Sequence, residues 1–255
     1  MRNNFFSRLK VLWFAGAGIA QHVFDEIKAL ARQTTGEDIL FLTGLGSTET
    51  APYTMGRMWE TADASNMGLP PPGAEIKLVP VEGKYEARVK GPHITPGYWR
   101  QPELTRQAFD EEGYYRLGDT FAFADGDPAK GLLFRGRLAE DFKLSTGTWV
   151  HVGPLRARFI AHFAPWVRDV VIAGEGRDEL VALVFPASPF PSGKFEGLLK
   201  SFQEQSTGSS NRIARAVVLE EPPSLDAGEA TDKGTINQKA VLKNRRKLVD
   251  ELYGS

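Results

Sequence analysis

The stretch from Leu9 to Thr50 limits the fold more than any other part of the chain. "VLWFA" at 11–15 is a run of apolar, β-favouring residues, and "GAG" at 16–18 breaks it. "IAQHVFDEIKALARQ" follows with Val23, Ile27 and Leu30 at helical spacing, and "DILFLTG" at 38–44 is a second apolar strand. Strand, turn, helix, strand is a βαβ unit, so a parallel sheet with helical cover is expected. Arg2, Arg8 and Lys10 before "VLWFAGAGIA" imitate a secretion signal. Gly16 and Gly18 interrupt that run, and it is too short to span a bilayer, so a buried strand entering a turn is the better reading.

The pattern changes twice along the 255 residues. Between 51 and 139, "GLPPPGAEIKLV", "EARVKGPHITPGYW", "DEEGYYRLGD" and "AKGLLFRGR" are short strands separated by proline and glycine turns. Beyond 139, "VRDVVIAGE" and "ELVALVFP" are expected strands; "PSGKFEGLLKSFQEQ" and "NQKAVLKNRRKLVDELY" are expected helices. The organisation is therefore α/β followed by α+β: residues 1–65 a βαβ portion, 66–139 a β-rich subdomain, 140–255 a compact α+β domain, with the last boundary near Arg137–Asp141.

Bulk properties remove whole classes of function. Hydrophobic residues make up 42%, enough for a buried core, and a net charge of −1 gives no support to binding nucleic acid or an anionic membrane. With no cysteine, disulfides, thiol catalysis and cysteine-bound zinc are excluded, and a reducing, cytoplasmic setting is consistent.

Several local patterns admit a functional and a plainer reading. "AGAGIAQ" opens like a dinucleotide fingerprint, but Gln21 stands at the third glycine position and spoils close helix–strand packing. Glu37 and Asp38 precede the second strand rather than ending it. An NAD(P)-dependent oxidoreductase fragment stays a rival, and a plain turn is the simpler reading. "QSTGSSN" resembles a phosphate cradle but has no lysine nearby and reads as a surface loop. His22, His93, His151 and His162 have no metal-ligand spacing. Lys233 to Lys247 holds six Lys/Arg and no acid, without the interleaved aromatics of a nucleic-acid surface. Within it Asn237 is a candidate N-cap, which puts Lys239 in a first helical turn where the dipole disfavours a cation.

"GLGSTETAP" at 44–52 lies past the carboxyl end of the second strand, where parallel sheets bind ligands. Its hydroxyls can donate to phosphate oxygens, and Glu49 can hold a hard cation such as Mg²⁺. The structural alternative is a helix start: Ser47-x-x-Thr50 is not a capping-box sequence, and Thr48 is the candidate cap.

"LGSTETAP", "YYRLGD", "FRGRLAEDFK" and "INQKAVLKNR", in that order and spacing, resemble the adenylate-forming superfamily of acyl- and aryl-CoA synthetases, luciferases and peptide-synthetase adenylation domains. "GRLAEDFKLSTGTWV" and "GSTETAP" are most similar to its feruloyl-CoA synthetase branch. The resemblance implies part of a large α/β AMP-binding domain with a β-rich subdomain, followed by a small mobile C-terminal α+β domain. Its implied reaction uses ATP and Mg²⁺ to adenylate a carboxylic acid, then CoA to form the thioester. The implied acid is aromatic, such as ferulate.

Carried over by position, Gly16 and Ala17 would flank the adenine, and Gly46 and Ser47 would belong to the phosphate loop. Thr48 would contact the α-phosphate and Glu49 the Mg²⁺. Asp119 would take the ribose hydroxyls, and Arg137 would support the ribose and phosphate side. Glu140 would be the hinge, Lys143 and Gly147 would border the pantetheine arm, and Lys239 would be the lysine of the adenylation step. Leu45 replaces a common adenine-stacking aromatic, Glu140 replaces an Asp, "NQK" replaces Gly-Lys, and Val152 and Pro154 replace the usual Pro and Glu. The resemblance also implies an N-terminal Ser/Thr/Gly-rich loop before Pro-Lys, which this chain lacks. The expectation is a C-terminal portion, exposed at the "VLWFA" sheet edge, inactive alone, and completed by a separate chain or left as a non-catalytic nucleotide-binding relic.

Overall fold

A short helix α1 (Arg2–Phe6) leads into β1 (Val11–Ala15), α2 (Gln21–Thr35) and β2 (Leu40–Leu45) in the computed structural model, which describes residues 2–254. The two strands pair in parallel, from Val11 opposite Leu40 to Ala15 opposite Gly44, so the expected βαβ unit is present. α2 stops where Gly36 turns left-handed, φ 75°, and returns its N–H to the Arg32 carbonyl.

The buried stripe of α2 differs in phase from the expectation. Phe24 and Ala31 are fully buried with Ile27 and Leu30 beside them, whereas Val23 is 36% exposed. The larger side chain takes the centre: the Phe24 ring lies 5.0 Å from Phe41 and 6.5 Å from Phe14. β1 is not the buried strand expected, since Val11 and Trp13 are about half exposed. It ends a sheet of order β1-β2-β3, in which β3 (Met55–Arg57) runs antiparallel to β2, and only Leu12 and Phe14 join the core beneath α2.

A second, fully antiparallel sheet follows in the order β4 (Glu75–Val81), β5 (Lys84–Lys90), β6 (Tyr115–Phe123), β7 (Leu132–Arg137), with the short helix α3 (Pro102–Ala108) between β5 and β6. β4 turns into β5 through Glu82 and Gly83, both at positive φ, the backbone a tight hairpin needs. Residues 65–69 tie the two sheets together: Leu69 bridges Gly56 and Asn66 bridges Leu133. Gly68 sits at φ 85°, and a Cβ there would lie 2.0 Å from the Gly56 carbonyl oxygen, so only glycine fits. Buried Arg57 fastens the same segment, donating to the carbonyls of Asn66 (3.1 Å) and Trp59 (2.5 Å).

These elements form one compact unit, and a second begins at Ala139. The second starts with the hairpin β8 (Phe142–Lys143) and β9 (Trp149–Val150), then α4 (Val152–His162), β10 (Val167–Ala173), β11 (Leu180–Pro186), α5 (Lys194–Glu204) and β12 (Ile213–Val218). Two helices, α6 (Gln238–Asn244) and α7 (Arg246–Tyr253), finish it. β10 and β11 are antiparallel, and β12 returns parallel to β11 after α5. One face of the sheet packs Val170, Ile172, Ala182 and Val184 with Leu155, Phe159, Phe195 and Phe202. The other packs Val171, Leu183 and Phe185 with Ile236, Val241, Leu248 and Leu252. Cover on both faces is why "VVIA" and "LVALVF" are continuous apolar runs.

The single helix expected over 237–253 is broken at Arg245, φ −104° and ψ 26°. Its guanidinium turns inward to the buried Glu229 carboxylate (2.7 Å) and to the carbonyls of Glu221 (3.1 Å) and Pro222 (2.8 Å). A tertiary anchor thus overrides a sequence favourable to one helix. The mixed α/β architecture is as expected; α1, β3, α3, the β8–β9 hairpin, α4 and β12 are additions to it. No helix among the described residues is long and apolar enough to cross a membrane.

Candidate functional site

β1 and β2 run side by side, so the turns at their carboxyl ends, Gly16–Ala17 and Gly46–Glu49, leave the same edge of the sheet. Gly46 cannot carry a side chain, because a Cβ would sit 2.1 Å from the Pro52 carbonyl oxygen. The loop therefore doubles back sharply into a single 3₁₀ turn, Thr48–Thr50. Ser47, not Thr48, is its N-cap position, and Thr50 Oγ1 reaches back to accept the Ser47 N–H at 2.9 Å. This is the reach-back half of a capping box, absent from the sequence expectation because threonine here does the work of glutamate.

That turn presents Glu49, half-buried, and leaves Thr48 exposed. Tyr98 Oη donates to Glu49 Oε1 at 2.9 Å, and Tyr115 Oη lies 3.3 Å from Tyr98 Oη. The Thr95 N–H donates to the Glu49 carbonyl at 2.8 Å. The carboxyl's own backbone N–H, then the hydroxyls of Ser47, Tyr98 and Tyr115, hold Glu49 below the usual glutamate range against the opposing effect of burial. Burial, together with Tyr98 and the Glu49 charge, pushes the Tyr115 phenol well above its ordinary value, so it stays a donor. Both tyrosines escaped the sequence reading, although "PGYW" and "GYYRLGD" contain them.

Asp119 and Arg137 are cross-strand partners on β6 and β7, with Arg137 Nε 3.5 Å from Asp119 Oδ1. Asp119 is 8% exposed, while the Arg137 side chain is largely in solvent. Gly118, φ 71°, and the irregular register beside Asp119 set the strand's twist at this point. Gly16, Ala17, Gly46, Ser47, Thr48, Glu49, Asp119 and Arg137 all belong to the first unit.

Glu140, Lys143, Gly147 and Lys239 belong to the second unit. Glu140 ends the 3₁₀ turn Leu138–Glu140. Asp141 beside it is buried: Oδ1 accepts the Val152 N–H (3.0 Å) at the start of α4, and Oδ2 lies 3.0 Å from His151 Nδ1. Lys143 Nζ stands 4.9 Å from the Trp149 ring across the β8–β9 hairpin, whose turn carries Gly147 at φ 81°. Lys239 is exposed in the first turn of α6, and the Asn237 side chain caps that helix by accepting the Ala240 N–H at 3.2 Å. Buried Gln238 accepts the Ile172 N–H at 3.2 Å, which holds the turn bearing Lys239 against β10.

Two sequence alternatives find structural explanations. The Gln21 side chain reaches away from the strands, donating to the Ala62 carbonyl (2.8 Å) and accepting the Ala64 N–H (2.9 Å). In "QSTGSSN", Asn211 Oδ1 accepts the N–H groups of Thr207 and Gly208, so that loop spends its donors internally.

Known proteins resemble parts of this sequence and its fold. Residues 140–255 match the family model of the AMP-binding enzyme C-terminal domain. The chain is 26% identical over 240 residues to the chloroplastic long-chain-fatty-acid–[acyl-carrier-protein] ligase AEE15 of Arabidopsis thaliana, covering 84% of this chain and 33% of that protein. It is 37% identical over 137 residues to an anthranilate–CoA ligase of Pseudomonas aeruginosa, covering 51% of this chain and 25% of the relative. Its fold matches the adenylation domain of a carboxylate reductase from Mycobacterium chelonae with a TM-score of 0.75 at 23% identity, covering 95% of this chain and 38% of that one. The chain thus spans about a third of the length of the first of these relatives. The two relatives compared by sequence are an acyl-carrier-protein ligase and a CoA ligase, and the fold is that of the carboxylate reductase's adenylation domain.

Proposed function

We propose that this chain, with an AMP-binding enzyme C-terminal domain as its second unit, is part of an ATP-dependent acid–CoA ligase acting on an aromatic acid such as ferulate. The observation that carries the reading is Glu49: an ionised carboxylate held on a glycine-tightened turn, past the carboxyl end of a parallel strand, beside the turn of the neighbouring strand. The partial match to an anthranilate–CoA ligase and the feruloyl-like "GRLAEDFKLSTGTWV" support an aromatic acid.

The donor set suits Mg²⁺ arriving with a nucleotide. Glu49 offers a hard, ionised oxygen ligand, and the described residues contain no cluster of three acids or histidines that would form a cage for a free metal. Mg²⁺ held by Glu49 would offset the negative charge that gathers on the phosphate oxygens. Gly16 and Ala17 flank the adenine in this reading, and Gly46 and Ser47 line the phosphates. The Thr48 hydroxyl donates to the α-phosphate. Asp119 accepts from the ribose hydroxyls, with Arg137 alongside. The carboxylate oxygen of the acid attacks the α-phosphorus, the bond to pyrophosphate breaks, and the Lys239 ammonium stabilises the crowded transition state. The CoA sulfur then attacks the acyl carbon, its proton passes to solvent, and AMP leaves with the acid's oxygen. Lys143 and Gly147 border the pantetheine arm, and Glu140 takes the hinge role in this reading.

Segments of the relatives that lie outside the matched third of their length would complete the phosphate cradle and acyl pocket. The name of AEE15 favours a second reading for the acceptor, a carrier protein in place of free CoA; the dependence of product on added CoA separates the two. The carboxylate reductase matches through its adenylation domain, which lends no weight to a nicotinamide site at Gly16. ATP–pyrophosphate exchange by the complete enzyme tests the assignment. Lys239→Ala is expected to abolish exchange while leaving nucleotide binding in place, and full exchange would remove Lys239 from the site.

A further inference from the structure

We propose that Tyr98 is a positioning residue that orients the Glu49 carboxylate toward metal-bound nucleotide, with Tyr115 fixing Tyr98 from behind. The proposal rests on the function proposed above and names side chains outside its substrate contacts.

A phenol has a single proton. Tyr98 gives its own to Glu49 Oε1 at 2.9 Å, so across the 3.3 Å to Tyr115 the Tyr115 hydroxyl is the donor. The result is a directed chain, Tyr115 to Tyr98 to Glu49, in which each bond polarises the next. Bonding at Oε1 fixes rotation about the carboxyl axis and thereby the direction of Oε2.

The segment that delivers Tyr98 is built for one position. Thr95 Oγ1 bonds the Gly97 carbonyl at 3.0 Å, and the Tyr98 N–H donates to Thr105 Oγ1 at 2.9 Å. Thr105 lies in α3 and donates in turn to the Gln101 carbonyl at 2.9 Å. Gly97 stands at φ 144°, and a Cβ there would come within 2.5 Å of the Thr105 side chain, so the close approach requires glycine. The Thr95 N–H on the Glu49 carbonyl fixes the same turn from its backbone side. The exposed helix α3, which buries none of its own residues, therefore has a role in holding Tyr98 on Glu49.

A purely structural tie would stabilise the loop without altering how Mg²⁺ affects nucleotide binding. The affinity of the full chain for ATP, measured by equilibrium dialysis with and without Mg²⁺, distinguishes these roles, with thermal unfolding as the control. Mg²⁺ is expected to strengthen ATP binding to the unaltered protein, and Glu49→Gln to abolish that gain. Tyr98→Phe is expected to cut the gain about tenfold, the worth of one hydrogen bond to a charged group, while metal-free ATP affinity is unchanged. Tyr115→Phe keeps the Tyr98 bond to Glu49 and is expected to cut the gain about threefold, which carries the test should Tyr98→Phe not fold. An undiminished gain in either variant, or an equal loss of affinity with and without Mg²⁺, overturns the positioning role alone. ATP binding that Mg²⁺ does not strengthen in the unaltered protein overturns both the metal role of Glu49 proposed above and the positioning role.

Discussion

Replacing Glu229 by glutamine isolates the anchor that breaks α6 from α7. Glu229 is 3% exposed and takes three contacts from Arg245, at 3.1, 3.2 and 2.7 Å, plus the Ser224 N–H at 3.0 Å. The Glu229 backbone carbonyl also accepts the Asn237 N–H at 2.8 Å, so the same residue holds the start of α6, where Lys239 stands. An amide keeps one oxygen acceptor but turns an NH₂ donor toward a guanidinium that has no acceptor to offer. At least one charge-assisted bond is lost, and a nearly buried Arg245 loses its counter-charge, for a cost of about 3 kcal/mol. Peptide-resolved hydrogen exchange over 221–245 reads this locally, as opening increased about a hundredfold. The pH dependence adds a second check. The hydrogen bond to Arg245, aided by the Ser224 N–H and opposed by burial, lowers the Glu229 pKa from its ordinary 4.5. Its stabilisation is therefore fully present above about pH 4.5 and is lost as pH falls through the lower folded value. The difference between the two proteins should be flat from pH 8 to about 5 and shrink in acid. A change under about 1 kcal/mol at neutral pH, or a difference that persists undiminished in acid, would show that Glu229 does not anchor Arg245.

Three further outcomes follow from the geometry. Phe24→Ala empties the centre of the α2 stripe and should destabilise the first unit by about 3–5 kcal/mol in urea unfolding. Gly46→Ala places a Cβ 2.1 Å from the Pro52 carbonyl, so the Glu49 turn must shift; the change should cost about 2 kcal/mol and weaken Mg²⁺-dependent ATP binding. Because neighbouring N–H and hydroxyl groups lower the Glu49 pKa, Glu49 itself should stay ionised down to about pH 4.5; the ratio of Mg²⁺-dependent ATP affinities between the unaltered protein and Glu49→Gln, from the same dialysis measurement, should therefore not change between pH 8 and about 5.

What the sequence made legible was whatever rests on local pattern. β1, α2 and β2 declare themselves by apolar runs and a helical period, and β10 and β11 by apolar runs that cover on both faces allows. The antiparallel sheet is legible through its turn residues, Gly113 and Gly131 among them. What stayed hidden depends on partners distant in the chain. Val23 and Phe24 are both apolar, and only the aromatic rings of Phe14 and Phe41 decide which one turns inward. Nothing in "KNRRKL" breaks a helix; the break comes from Glu229, sixteen residues away. β12 follows a polar loop, and its half-buried edge blurs the alternation a strand would show. The Glu49 turn was located by its glycines and hydroxyls, but its grip by Tyr98 links positions 49 residues apart. No spacing rule reaches that far.

In the proposed reaction the acid's own oxygen attacks the α-phosphorus of ATP. Supplying the complete enzyme with acid labelled with ¹⁸O in its carboxylate, together with ATP and CoA, tests it directly by mass spectrometry of the products. One labelled oxygen in AMP and unlabelled pyrophosphate are expected. Label recovered in inorganic phosphate, or AMP free of label, would contradict it.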